Sequence, residues 1–433
     1  MIVQAEDLRA RDIIQALRSG TVPSVGVKEL AVGCGKIIKE LREQLEYVRE
    51  DRSDYKFIRG GYGAGKTFIC SLFRQIALEN DFCTSTVIVS PDLPLDKQNK
   101  VYTAIVKGIR TSEKKHNCAF PDVLQLWLWN LHKRIEKMSK LSYSNKTQRQ
   151  KLVQIVSESI VSDLGKVGTD SGFVTAIQSY YINRASQNHT YASYALSWIL
   201  GASENITTSM KSKLGLRGEI SSEMGFAFLK GILKLIRDLG YAGLVIAIDE
   251  VETIMNLPSS KQRQEALETI RIIVDEVGRN TFHRCLFLIT GTDKFFLDDR
   301  YGLPSYEALK DRIDIPGLNI EHQSLKQPIY LVKPLQENQL IEVAKKVRSI
   351  HASAYDWLAE SRISDEDIQR YAYLMASNFG GSIEQIPRGF LRGFIYVCDL
   401  LQENENLTIE DVFGDPRYLT DQVHEVESSR VRI

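Results

Sequence analysis

Gly60 to Thr67, GGYGAGKT, constrains this chain more than any other stretch, because residue type and spacing there prescribe a chemistry. It satisfies G-x-x-x-x-G-K-[ST] through Gly60, Gly65, Lys66 and Thr67. The flanks suit it: a β-rich run, Tyr55 to Ile58, precedes it, and an apolar helical pattern (Phe68, Ile69, Leu72, Phe73, Ile76) follows. In such a strand, loop and helix the backbone of Gly60, Gly61, Tyr62, Gly63, Ala64, Gly65, Lys66, Thr67 and Phe68 turns its N–H groups toward phosphate oxygens at a helix N-terminus. Lys66 then reaches the β- and γ-phosphates of ATP, and the Thr67 hydroxyl ligates Mg²⁺. The plain alternative, a Gly-rich turn with an accidental lysine, does not require strand, loop and helix in order; all three are present.

A second segment strengthens the nucleotide reading. Leu244 to Glu250, LVIAIDE, is a short apolar run ending in two carboxylates. That is the pattern of a buried parallel strand that delivers Asp249 to the metal and Glu250 to an attacking water. Any buried strand entering a loop would read similarly; the two motifs together favour the site.

Composition bounds the rest. A chain of 433 residues holds about two or three domains, and 43% hydrophobic with 25% charged residues is ordinary for a globular protein. Lysines plus arginines equal aspartates plus glutamates at 55 each, so any nucleic-acid contact must come from a local patch. Six dispersed cysteines without a C-x-x-C pair read as reduced core thiols of a cytosolic protein. The N-terminus lacks a leader pattern and no run approaches about eighteen apolar residues, so neither secretion nor a membrane is expected.

Helical spacing marks Asp7 to Leu17 and about Lys36 to Val48. The intervening Thr21 to Gly35 is either an adenine-holding segment or an ordinary connector. Further strands are expected at Ser85 to Val89, Leu244 to Ile248, Cys285 to Ile289 and Ile329 to Val332, the last ended by Pro334. Cys285 to Ile289 runs into Thr290-Gly291-Thr292, where either threonine faces the γ-phosphate or merely begins a turn. From about 111 to 230 the pattern is helical throughout, an insertion in the core. Its run Lys133, Arg134, Lys137, Lys140, Lys146, Arg149 and Lys151, with Tyr143 among them, is either a solvated face or a nucleic-acid patch. After Glu337 the periodicity is again helical. The expected architecture is α/β, a P-loop core with a parallel sheet at 51–333, a helical lead-in at 1–50 and a helical lid domain at 334–433.

These motifs, with a late Arg312 and with Arg388 opening a C-terminal helix, resemble the AAA+ superfamily, in its initiator and helicase-loader branch. More closely, seven stretches resemble the ATP-binding protein family of the BREX bacteriophage-defence systems, of the BrxD type. They are RDIIQALRSGTVPSVGVKELAVG, KFIRGGYGAGKTF, YALSWILGA with KLGLRGEI, LGYAGLVIAIDEVET, and ITGTDKFF with YEALKDRI. The resemblance runs from about residue 10 to about residue 400. It implies Asp249 and Glu250 as metal ligand and catalytic acid, Thr292 or Thr290 as strand-tip sensor, Arg312 as arginine finger, and Arg388 or Arg392 as lid arginine. Arg312 would otherwise pair with Asp311 or Asp314 on the surface. The residues beyond Leu401 are too few for the winged helix that initiator-type loaders append. The resulting expectation is a cytosolic, homo-oligomeric, Mg²⁺-dependent ATPase acting on DNA or on a partner helicase. The alternatives are a nucleotide-gated switch subunit with little turnover and, more weakly, a small-molecule kinase.

Overall fold

The computed structural model describes residues 5–221, 224–313, 324–332, 335–378 and 387–415. Its contacts divide the chain into two units. In chain order the elements before the insertion are α1 (Ala5–Arg18), α2 (Gly35–Arg49), β1 (Ser53–Arg59), α3 (Lys66–Glu79), β2 (Phe82–Ile88) and α4 (Gln98–Gly108). The insertion holds α5 (Phe120–Ser139), α6 (Lys146–Gly165), α7 (Ser171–Ala185), α8 (His189–Ile199), α9 (Thr208–Lys213) and α10 (Met224–Asp238). There follow β3 (Gly243–Asp249), α11 (Ser260–Gly278), β4 (Cys285–Gly291), α12 (Asp293–Leu297), α13 (Glu307–Ile313) and β5 (Ile329–Leu331). The chain then runs through α14 (Glu337–Tyr355), α15 (Ala359–Arg362), α16 (Asp365–Asn378), α17 (Pro387–Glu403) and α18 (Ile409–Gly414). Pro334 lies outside the described residues.

The larger unit, Arg42–Ile58 with Ile76–Tyr330, is built on a parallel sheet of order β2-β3-β4-β1-β5 among the described residues. Every residue of β3 and of β4 is buried, as expected of central parallel strands covered on both faces. The register from Phe82↔Gly243 to Ile88↔Asp249 aligns the end of β2 with the first acid. That from Leu244↔Cys285 to Ile248↔Ile289 makes Thr290 the next neighbour of Asp249. At the edge, Lys56 is fully buried and spends its ammonium on the carbonyls of Leu325 (2.6 Å) and Gln327 (2.8 Å), which satisfies a charge that burial would otherwise penalise. The inserted helices share the sheet's apolar core. Phe228 of α10 is their junction, with ring centroids of Tyr102, Phe173 and Trp198 within 5.4, 5.2 and 5.7 Å. Truncating so central an aromatic costs about 3–5 kcal/mol.

The other unit, Met1–Leu41, Arg59–Gln75 and Leu331–Ile433, has its own core. Ile13 and Ile14 of α1 are fully buried with Val347, Tyr371, Phe394, Ile395 and Leu401 of the C-terminal helices. A polar network adds direction to this packing. Arg18 donates to Asp399 through Nε (2.9 Å) and Nη2 (2.7 Å), the paired geometry that makes arginine–carboxylate bonds strong. The fully buried His351 contacts the same carboxylate at 2.9 Å and accepts from the Trp357 indole at 2.9 Å. Burial alone would push the Asp399 carboxyl up; the bonds from His351 and Arg18 outweigh it and hold it below its usual value. Among the described residues no helix is long and apolar enough to cross a membrane.

Candidate nucleotide site

The phosphate loop begins where β1 ends. Gly63 and Gly65 adopt φ of +75° and +104°, conformations open to glycine and strained for other residues, and α3 starts at Lys66. Lys66 is buried, and its ammonium donates to the carbonyls of Gly60 and Gly61, both at 2.9 Å. The Tyr62 ring, 75% exposed, lies 5.7 Å from the same nitrogen. Gly61 and Thr67 are exposed, and the first turn of α3 carries no acid to neutralise its positive pole. Exposed backbone, an open helix N-terminus and a fixed ammonium suit a polyanion. Phe68 is partly buried against the helical unit's core. Within the Thr21 to Gly35 segment, Val27, Leu30 and Val32 are buried, and the Lys346 ammonium holds the Ala31 carbonyl at 3.1 Å.

The two candidate acids sit at the tip of β3. Asp249 is buried and the Thr290 hydroxyl donates to its Oδ1. Glu250 is exposed and left-handed, at φ +64° and ψ +40°. Its N–H turns back to Asp249 Oδ1 at 3.0 Å and to Thr290 Oγ1 at 3.4 Å. The turn therefore separates the two acids, one locked inward and one pointed to solvent. Gly291 makes the arrangement possible, since a Cβ there would lie 2.9 Å from Val251 and 3.1 Å from Phe295 and Phe296. Of the two sequence candidates, Thr290 meets Asp249 because the strand register sets it opposite. Thr292 is also buried, but it stands at the head of α12 and makes no side-chain cap.

The arginines stand apart from one another in role. Arg312, at the end of α13, bonds Asp275 of α11 through Nε and, at 3.3 Å, through Nη2, and it also donates to the Ala308 carbonyl. Among the described residues its carboxylate partner is therefore Asp275 and not Asp311; Asp314 lies outside the described residues. The same α11 face is dense in charge: Arg271 bonds Glu268 and Asp275, and Arg271 first, then the Tyr306 hydroxyl, holds Glu268 below its usual range against the penalty of burial. Arg388 is exposed in the first turn of α17, while residues 379–386 lie outside the described residues. Gly20 lies against Arg388 and Arg392, their Cδ atoms 3.4 and 3.1 Å from where its Cβ would be.

The basic run on α5 and α6 divides. Lys133 pairs with Glu136 at 2.9 Å and Arg134 with Asp163 at 2.7 Å, and Arg149 stacks on Tyr143 at 4.6 Å. Tyr143 itself is spent internally, its hydroxyl on the Ala185 carbonyl at 2.9 Å. Lys137, Lys140, Lys146 and Lys151 remain exposed. Sequence reasoning passed over Trp129, exposed on α5; its spacing from Lys133 and Lys137, four and eight residues on, was the available signal.

A family model described as BREX system ATP-binding protein BrxC/D matches residues 6–416 of the chain. No curated protein matches it significantly.

Proposed function

The chain belongs to the BREX system ATP-binding BrxC/D family, and from that premise we propose that it is a Mg²⁺-dependent AAA+ ATPase that uses hydrolysis to change its grip on DNA or on a DNA-remodelling helicase. One observation carries the hydrolytic part: the divided tip of β3, with Asp249 fixed by Thr290 and Glu250 held outward by a left-handed turn. A strained residue whose side chain points outward beside a fixed carboxylate is the arrangement expected of a catalytic base. The sheet order adds support, since it sets the Thr290 strand between the acidic strand and the strand leading into the loop.

In this reading the loop backbone and Lys66 hold the phosphates, and Thr67 and Asp249 supply oxygen ligands to Mg²⁺. Among the described residues no group of three or more acids, histidines or cysteines forms a dedicated metal cage. That suits Mg²⁺, which keeps waters and substrate phosphates in its shell. The metal would supply Lewis acidity to the transferring phosphoryl group. Glu250 polarises the attacking water, Thr290 keeps Asp249 aimed, Arg312 serves a neighbouring copy in a homo-oligomer, and Arg388 acts as lid arginine. The switch reading is favoured by one observation, the engagement of Arg312 by its own chain's Asp275.

Steady-state phosphate release, with ATP affinity measured in parallel, tests the proposal. Lys66→Ala is expected to lose ATP affinity, because the charge aimed at the phosphates is gone. Glu250→Gln is expected to bind normally and slow release by about 10²- to 10⁴-fold. Wild-type protein that binds ATP without releasing phosphate, with or without DNA, would favour the switch.

A further inference from the structure

Helix α5 has two unlike sides. Phe120, Val123, Leu124, Trp127, Leu128 and Leu131 are buried. Leu126, Trp129, Lys133 and Lys137 are exposed, and their spacing of three and four residues stands them in one stripe along the helix. Trp129 is 58% exposed. An indole left in water on a helix that buries six other apolar residues does not serve packing. The Lys133 ammonium, 4.9 Å from its ring centroid, adds a cation–π contact that restrains it.

The stripe runs into a cationic end. Lys137 extends it, Lys140 closes α5 in a left-handed conformation, Lys146 opens α6 and Lys151 follows. Among the described residues none of these four lysines pairs with a carboxylate. The hairpin's own acids are used elsewhere: Asp122 by Lys114, Glu136 by Lys133 and the Tyr143 N–H, Glu158 by the Gln154 amide, and Asp163 by Arg134 and Lys166. Unneutralised cations on the hairpin that displays an aromatic ring match an anionic partner that also has flat faces to stack.

We propose that this face of the α5–α6 hairpin binds single-stranded nucleic acid, with Trp129 stacking on a base and Lys137, Lys140, Lys146 and Lys151 holding the phosphates. The proposal rests on the reading of the chain as acting on DNA, and it deepens that reading by naming the surface and the form of DNA. A single strand fits better than a duplex, whose bases are already stacked, and better than an acidic peptide, which would need the lysines but not the ring.

The test is anisotropy of a labelled oligo(dT) against the full chain, over a salt series, with binding of a fluorescent ATP analogue measured on the same samples. Trp129→Ala is expected to weaken oligo(dT) binding between about fivefold and about 150-fold, while Trp129→Phe keeps most of it. Replacing the four lysines by Gln is expected to flatten the log–log salt slope by about 0.7 per lysine, about 2.8 in all. These lysines are exposed, so that arm stands even if Trp129→Ala fails to fold. Wild-type protein that binds the ATP analogue but not oligo(dT) overturns the inference and leaves the nucleotide reading intact. Failure to bind the analogue strikes that reading instead. Equal oligo(dT) affinity in folded Trp129→Ala and wild type also overturns the inference, as does polyglutamate competing as well as oligo(dT), which would assign the face to an acidic protein.

Discussion

The phosphate loop and the acidic strand tip both contain left-handed turns, and they obtain them by opposite means. In the loop, Gly63 and Gly65 take φ of +75° and +104° with no Cβ to clash. At the tip the same half of conformational space is occupied by Glu250, which has a Cβ and carries a strain of order 1 kcal/mol or more. The strained residue persists because its N–H is held from two sides, by Asp249 and by Thr290. Glycine serves where only backbone is required. Where the side chain itself is needed, as in the catalytic role proposed for Glu250, the surrounding structure must hold it in the unfavourable turn.

The largest expected effect asks whether the tip is complete within one copy of the chain. An arginine supplied in trans to the transferring phosphoryl group is worth about 10³ to 10⁵ in rate, or about 4–7 kcal/mol of barrier. If Arg312 plays that part, Arg312→Ala is inactive and so is Lys66→Ala. Mixing the two then restores ATPase activity, because some interfaces pair an intact loop with an intact arginine. Should Arg312→Ala hydrolyse ATP at the wild-type rate in assembled protein, its role is confined to the bond with Asp275. That bond joins side chains 38% and 14% exposed, and pairs near the surface contribute little to stability. Loop and tip would then suffice without a neighbour.

The same contrast explains what the sequence disclosed. The loop is local: eight consecutive residues carry its glycines, its lysine and its hydroxyl, and the flanking β and helical patterns can be read beside them. Strands β3 and β4 are nearly as legible, because continuous apolar runs admit few other placements. The choice of Thr290 over Thr292 for the contact with Asp249 was not legible, since it depends on the register between strands some forty residues apart. Nor was the docking of α1 by Arg18 on Asp399, a pairing 381 residues apart with no periodic trace in either segment. The basic run was legible only in part. Spacing showed seven cations and a tyrosine but not that three of the cations are engaged within the hairpin and the tyrosine hydroxyl on α7, nor that the exposed ring is Trp129.

A smaller effect probes the support of the tip. Thr290→Val keeps the shape and removes the hydroxyl that donates to a buried carboxylate, a loss of about 1.5–3 kcal/mol for a bond to a charged group. Hydrolysis is expected to fall as well, since Asp249 loses one of the groups that aim it. Thr292→Val serves as the contrast, because the Thr292 hydroxyl makes no cap on α12. Unfolding midpoints and phosphate release of the two variants decide between the threonines. Greater loss of hydrolysis in Thr292→Val would transfer the sensor role to Thr292.

The smallest effect tests the strain itself. At φ +64° an L-residue carries about 1–2 kcal/mol that glycine does not, while glycine gives up about 0.5–1 kcal/mol more conformational freedom on folding. The difference leaves Glu250→Gly between neutral and about 1.5 kcal/mol more stable than wild type. Glu250→Ala removes the carboxylate yet keeps a Cβ, so it retains the strain and provides the proper reference. Both variants are expected to lose hydrolysis and keep ATP binding. Glycine is expected to melt above alanine by about one or two degrees, the small shift that such an energy produces in a chain of this size. If alanine melts above glycine, the strain at Glu250 is smaller than the roughly 0.5–1 kcal/mol of conformational freedom that glycine gives up, and the contrast between a loop that relies on glycine and a tip that tolerates glutamate loses its energetic basis.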